Sequence, residues 1–121
     1  MATINIDQLA GDIVDALRGE ITTGFQAIST FARNQSRRLA AQAALIAEGG
    51  ITGQLDAEML RFFDDQLKTM ARNFARAVAE RTMITLQRAW NAITDVVWGA
   101  VNAALGTVGI GGLPMPALGT R

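Results

Sequence analysis

The chain has 121 residues but contains no cysteine, no histidine and no tyrosine, and Lys68 is its single lysine. The absence of cysteine excludes disulfide bonds, thiolate nucleophiles and cysteine-based metal sites. Without histidine, the chain also lacks the commonest metal ligand and the usual general base near neutral pH. The remaining carboxylates are scattered along the chain. We therefore expect a protein that is not an enzyme and that binds no cofactor and no metal.

An excess of charge of either sign is also missing, because 11 basic residues balance 11 acidic ones. No net field attracts the chain to DNA or to acidic lipid, so we expect no specific nucleic-acid partner. The N-terminus reads MATINIDQLAGDIVDAL, which is acidic and amphipathic where a signal peptide is basic and then apolar. The sequence therefore predicts no signal peptide.

Half of the residues are apolar, and most of them recur with the period of an α-helix. The length predicts one domain over residues 1–121. Gly49 and Gly50 are suited to a left-handed helix cap, whereas Gly19 and Gly24 predict only a bend or a close backbone contact. We expect a helix over about 5–48, a turn over 49–54, a helix over about 55–105 and an apolar Gly/Pro-rich tail over 106–121. The fold class is all-α, a long antiparallel two-helix hairpin.

The charged residues predict the register of this hairpin. If the turn is centred on Gly50 and Ile51, acids and bases face each other along the rod. Such exposed pairs contribute only a few tenths of a kcal/mol each, so they would tune the register without holding the fold together. The predicted pairs are Arg38 with Asp65, Arg37 with Asp64 or Asp65, Glu20 with Arg81, and Asp15 with Arg88.

The same register places four basic residues in a band around the middle of the rod, with no acidic residue to neutralise them. Such a band is either a solvated face or a contact for phosphate or an acidic partner. Its members are Arg33, Lys68, Arg72 and Arg76.

A second set of apolar residues lies off the main line of both predicted helices. A two-helix rod buries one side of each helix, so these side chains need further partners. We therefore expect the hairpin to pack in a homo-oligomer or against another protein. The set is Ile4, Val14, Phe31, Leu45, Leu60, Phe62, Met83, Ile84, Val96 and Trp98.

The most apolar stretch, residues 83–113, holds both tryptophans. Residues 96–113 carry no charge, which reaches the lower limit for a membrane span, but glycines and Asn102 make that span marginal. The tryptophans suit either core packing or a belt at a membrane surface. The predicted assembly or membrane contacts are Trp90, Val97, Trp98, Val101, Val108, Ile110 and Leu113. Five tail side chains lie past the reach of the first helix and need cover from outside the hairpin: Val108, Ile110, Leu113, Met115 and Leu118.

Three stretches resemble small, Ala-rich helical proteins encoded among bacteriophage structural genes. They read FARNQSRRLAAQAALIAEGGITG (31–53), RNFARAVAE (72–80) and RAWNAITDVVWGAVN (88–102). The resemblance implies a minor virion component, located in the virion or at the periphery of the host membrane, with other virion proteins as partners. It implies no catalytic or ligand-binding residue.

The predicted function is a non-enzymatic structural subunit that self-assembles through helix packing and uses its apolar C-terminal end to contact other subunits or a membrane. Two alternatives stay open. One is a membrane-active protein, such as an ejected pore component or a holin-like or toxin-like permeabiliser. The other is a helical adaptor that binds a larger partner.

Overall fold

The computed structural model describes residues 4–21, 23–109 and 112–118, and within them the chain is all-helical, without a strand. Its helices are α1 (Ile6–Glu20), α2 (Phe25–Thr52), α3 (Ala57–Arg81) and α4 (Leu86–Gly106). The all-α class is thus confirmed. The prediction of two uninterrupted helices is wrong, because each of them is broken once in these described residues.

The first break separates α1 from α2. Helix α1 begins where the Asn5 side chain accepts a hydrogen bond from the Gln8 N–H at 3.0 Å. It ends at Ile21, which is extended, and α2 starts after Gly24, whose φ of 85° is left-handed. A left-handed residue interrupts a right-handed helix, and glycine adopts it without steric cost. A break in the helix therefore replaces the bend expected at Gly24.

Helix α2 continues through the predicted stop at Gly49 and Gly50, and its left-handed cap is Gly53, with φ of 79°. The earlier glycines serve close packing instead. A Cβ at Gly50 would lie 2.6 Å from the Leu105 side chain, and one at Gly49 would overlap the Leu55 side chain. The predicted turn over 49–54 therefore shifts toward the short connection that precedes α3.

The second break separates α3 from α4 around Thr82 and Thr85. The Thr82 hydroxyl donates to the Val78 carbonyl at 2.8 Å, and the residue itself is extended. The Thr85 hydroxyl then accepts from the Arg88 N–H at 3.2 Å and caps α4. Threonine side chains that bond to nearby backbone groups favour helix ends over helix interiors.

The resulting bundle has α2 and α4 at its centre, since each of them contacts the other three helices. Between α2 and α3, the Gln42 side-chain amide donates to the Phe63 carbonyl at 3.2 Å, and the rings of Phe31 and Phe74 pack edge-on at 5.8 Å. The fully buried large side chains come from all four helices: Trp90, Trp98, Phe74, Ile13, Leu17, Leu39, Ile46, Leu67, Ile93, Leu105, Val78 and Val97.

Most of the second apolar set is covered by this chain itself. Val14, Ile84 and Trp98 are buried, and Ile4, Phe31, Leu60 and Val96 pack half-buried on the core. The cover that we expected from other copies or from another protein comes, for these members, from further helices of the same chain. The members that remain exposed are Leu45, Phe62 and Met83.

The observed ion pairs differ from the predicted charge pairs. None of the expected pairs is among the ion pairs within the described residues. Glu20 pairs with Arg88 in place of Arg81, and Arg37 pairs with Asp7 of α1 in place of Asp64 or Asp65. The observed pairs are Arg37–Asp7 at 2.6 Å, Arg88–Glu20 at 2.8 Å, Arg18–Asp15 at 3.3 Å, and Lys68 with Asp64 and Asp65 at 3.5 and 3.6 Å.

The packing role of Gly49 predicts opposite outcomes for two glycine-to-alanine changes inside helices. Gly99 faces open space, so Gly99→Ala should raise the free energy of unfolding by about 0.5–1 kcal/mol through helix propensity. Gly49→Ala should lower it by about 1–3 kcal/mol, because Leu55 must move. Urea unfolding followed by circular dichroism measures both values. Equal stabilisation by the two changes would contradict the close packing.

Candidate functional site: an exposed apolar patch

The predicted contact residues of the second predicted helix lie inside the protein. Trp90 is 1% exposed, and Val97, Trp98 and Val101 are fully buried. The apolar end of the chain is therefore core, because α1, α2 and α3 all pack against it. These four side chains are unavailable to a partner while the bundle is intact.

Burying Trp98 requires a partner for its indole N–H, and Asp64 supplies it. The Trp98 Nε1 donates to the Asp64 Oδ1 at 2.8 Å, and Asp64 is 3% exposed. The other carboxylate oxygen of Asp64 lies 3.5 Å from the Lys68 Nζ, which also reaches Asp65. A buried carboxylate is tolerated when it is both paired and hydrogen-bonded. This cluster thus joins α3 to α4 and explains why an acid is accepted there.

The tail lies along α4, so this chain itself partly covers two of the tail side chains for which we expected outside cover. The Asn102 side chain accepts from the Leu113 N–H at 2.7 Å and donates to the Leu113 carbonyl at 2.8 Å. Leu113 and Leu118 pack half-buried against the core. Val108 and Met115 are exposed at 50% and 49%. Ile110 lies outside the described residues.

Of the four predicted basic contacts, Lys68, Arg72 and Arg76 lie four residues apart along α3, and Arg33 lies on α2. Arg33 lines a groove of about 300 Å³ between α1 and α2, together with Asp7 and Asp15. On α3, Lys68 pairs with Asp64, and the Arg72 guanidinium lies over the Trp90 ring at 5.8 Å. Lys68 and Arg72 thus have partners within the protein, and contact of the four bases with phosphate or an acidic partner stays a prediction. Arg76 is exposed on α3.

A second groove, of about 370 Å³, is open and runs between the start of α1 and the end of α4. Small and aliphatic side chains form its floor, and amides, a carboxylate and a hydroxyl form its edges. Nothing in this combination forms a nucleophile with a base. Among the described residues, no group of carboxylates is arranged to hold a metal. The groove lining is Ile4, Asn5, Gln8, Leu9, Asp12, Ala100, Ala103, Ala104 and Thr107.

The strongest surface feature is an apolar patch near the α2–α3 connection, formed by Leu45, Met59 and Phe62. Their exposed fractions are 50%, 42% and 55%. Met59 and Phe62 lie one turn apart on α3, and the Phe62 ring packs edge-on against Phe63 at 5.6 Å. Leu45 is one turn closer to the connection than Gln42, which contacts the Phe63 carbonyl.

Comparisons with protein-family models, with curated proteins and with solved structures find no match. A separate inspection of the helices finds that none of them, over the part of the chain that the structure describes, has the length and apolar character to cross a membrane. The function must be argued from the geometry of this chain.

Sequence reasoning identified Phe62 and Leu45 as members of the second apolar set, but it could not separate them from members that become buried. It missed the roles of Asp64 and Asn102. The available signal for both was a polar residue among apolar ones. Asn102 interrupts an apolar run, and Asp64 lies three residues before Leu67 on the inner side of α3. Neither signal indicates the partner.

The buried cluster predicts very different costs for changing two adjacent aspartates. Asp64→Ala leaves the Trp98 indole without its acceptor and should lower the free energy of unfolding by about 2–4 kcal/mol. Asp65→Ala is the matched control, because its side chain is 66% exposed and should cost only a few tenths of a kcal/mol. Urea unfolding followed by tryptophan fluorescence gives both values, and similar losses at the two positions would refute the role of Asp64.

Proposed function

We propose that this protein is a non-enzymatic structural subunit that assembles with further copies of itself through the patch of Leu45, Met59 and Phe62. The single observation that carries the proposal is the exposure of these three large apolar side chains on the two helices that flank the α2–α3 connection. Clustered exposure of this kind is typical of interaction sites, whereas isolated apolar residues on a surface are common and need no explanation.

The surroundings of the patch fit a protein interface. The Gln42 and Gln66 side chains bond to each other at 3.3 Å beside the patch, and Glu58 and Arg61 are exposed next to it. An apolar centre with a polar rim is the usual anatomy of such a contact. Because the rim has charges of both signs, a second copy can place acid opposite base. A strongly charged partner would gain no such match.

The proposed platform for this contact is an antiparallel hairpin of α2 and α3. Its support is the order of contacts away from the connection, where Leu55 lies at Gly49, Phe63 at Gln42 and Phe74 at Phe31. Two long helices in this arrangement hold the patch on a rigid surface. Full burial of one patch side chain against a second copy contributes about 1.5–3 kcal/mol to the free energy of association. The three side chains together therefore favour association.

The bacteriophage setting and the virion location stay proposals that rest on the sequence resemblance alone. The membrane-active alternative has less support from the geometry. An aromatic belt of Trp90 and Trp98 at a membrane surface requires both side chains to leave the core, and Trp98 would lose its bond to Asp64. In the adaptor alternative, the same patch binds a larger partner. The experiment below distinguishes this role from self-assembly.

Phe62→Ser should weaken self-association by about tenfold or more, since it removes the largest exposed side chain at the centre of the patch. Sedimentation velocity over a range of concentrations measures the association, and circular dichroism checks that the helical content is unchanged. Met83→Ser is the matched control. Met83 is 87% exposed in the connection between α3 and α4, away from the patch, and its change should leave association as it is.

A wild-type chain that stays monomeric at high micromolar concentration would overturn self-assembly and leave the adaptor role. Equal weakening by both changes would show that the patch is not the contact.

A further inference from the structure

Phe62, the largest side chain of the patch, lies on the side of α3 that is nearer to α2. It is one turn before Gln66, whose side chain accepts from the Gln42 amide of α2 at 3.3 Å, and residues four apart share one face of a helix. Asp64 comes about half a turn after Phe62, so it lies on the opposite face, where it bonds to Trp98 of α4. Phe62 is therefore directed away from α4.

The groove between α1 and α4 lies on the other edge of the bundle. Helices α2 and α4 contact each other and both remaining helices, whereas α1 and α3 make no contact within the described residues. Helices α1 and α3 therefore lie on opposite sides of the α2–α4 pair. The patch belongs to α2 and α3 and the groove to α1 and α4. The two surfaces thus face away from each other, and Phe62 cannot fill the groove of its own chain.

The groove has the form that an aromatic side chain requires. Its volume is about 370 Å³, and its floor joins small side chains of α4, among them Ala100 and Ala103, to the aliphatic side chain of Leu9 on α1. Among the described residues, Phe62 is the largest exposed apolar side chain. Aromatic anchors contribute most to an interface where they fill a pocket on the partner. The patch and the groove are therefore complementary in shape and in apolar character.

The charges at the edges of the two surfaces are complementary as well. Arg61 is exposed beside Phe62, and Asp12 is exposed at the edge of the groove. Asp12 is the single charged residue of the groove lining. Neither Arg61 nor Asp12 belongs to an ion pair of the described residues. Opposite charges that meet across an interface fix its register and favour the correct partner.

We infer that the patch of one copy docks in the groove between α1 and α4 of the next copy, with Phe62 on the groove floor and Arg61 opposite Asp12. The inference rests on the proposed self-assembly and names the surface that receives the patch. The contact joins two different surfaces, so it is heterologous, and each docked pair keeps one free patch and one free groove. Association therefore continues beyond the dimer.

Two variants, each lacking one surface, distinguish this contact from a symmetric one between two patches. Phe62→Ser removes the ring. Ala103→Arg blocks the groove, because the new guanidinium occupies the floor and repels Arg61 of another copy. Ala103 is exposed, so its replacement leaves the core in place. The matched control, Asn91→Arg, makes the same change of charge at an exposed position more than three turns away on α4.

Sedimentation velocity over a range of concentrations measures the association, and circular dichroism checks that each variant keeps its helical content. The wild type and Asn91→Arg should form species larger than a dimer. Phe62→Ser and Ala103→Arg, each alone, should associate about tenfold more weakly or less. Their equimolar mixture should form dimers and nothing larger, because the first variant keeps an intact groove and the second keeps an intact patch.

The charge pair is tested by exchanging its signs. Asp12→Arg and Arg61→Asp should each weaken association by roughly twofold to fivefold, because like charges then face each other. A chain that carries both changes has opposite charges at every contact again, so it should associate as the wild type does. A double variant that associates no better than either single variant would refute the pairing of Arg61 with Asp12.

The outcomes for the groove and for the proposed function are read separately. If Ala103→Arg associates as Asn91→Arg does while Phe62→Ser is impaired, the groove contact is overturned and self-assembly through the patch stands. A mixture of the two impaired variants that stays monomeric also overturns the groove contact. Undiminished association of Phe62→Ser overturns the proposed function, and the inference that rests on it.

Discussion

The burial of α4 is the constraint on which the rest of the structure depends. This helix is apolar around most of its circumference, with Trp90 and Trp98 on sides that face α3 and with Leu105 against Gly50 of α2. One neighbouring helix cannot cover such a surface. The chain therefore breaks each of its two long apolar segments, and α1, α2, α3 and the tail each take one part of α4.

This arrangement decides where polar groups are needed. A buried indole requires an acceptor, and the two tryptophans find theirs in different ways. Trp98 bonds to Asp64, which Lys68 balances in turn, whereas Trp90 bonds to the Pro116 carbonyl of the tail. The first bond fixes α3 on α4 in the core. The second fixes only the tail, at a partly buried position, so it is the bond that a change at the end of the chain would affect.

Local sequence signals sufficed for the all-α fold class, because the helical period of the apolar residues depends only on nearby residues. The break at Gly24 was not predicted, since the apolar series runs on from Ile21 to Phe25 without a change of phase. Periodicity reports which side of a helix is apolar, and it does not report whether that helix continues. Each break instead coincides with a local feature, the left-handed Gly24 in the first and the side-chain bonds of Thr82 and Thr85 in the second.

The candidate site shows the same limit. Phe62, Trp98 and Ile84 belong to one apolar set in the sequence, yet Phe62 is exposed and the other two are buried. Only the positions of neighbouring helices distinguish them. The Asn102 clamp on Leu113 depends likewise on a return of the chain that residue types alone do not specify.

The central claim, that α4 and its tryptophans form the core of a single chain, is tested most directly by hydrogen exchange of the two indole N–H groups. Nuclear magnetic resonance resolves both signals at a concentration where the chain is monomeric. We expect the Trp98 indole, bonded to buried Asp64, to exchange slowest, and the Trp90 indole, bonded to the tail, to exchange faster but below the rate of a free indole. Exchange of both indoles at the unprotected rate would contradict the account.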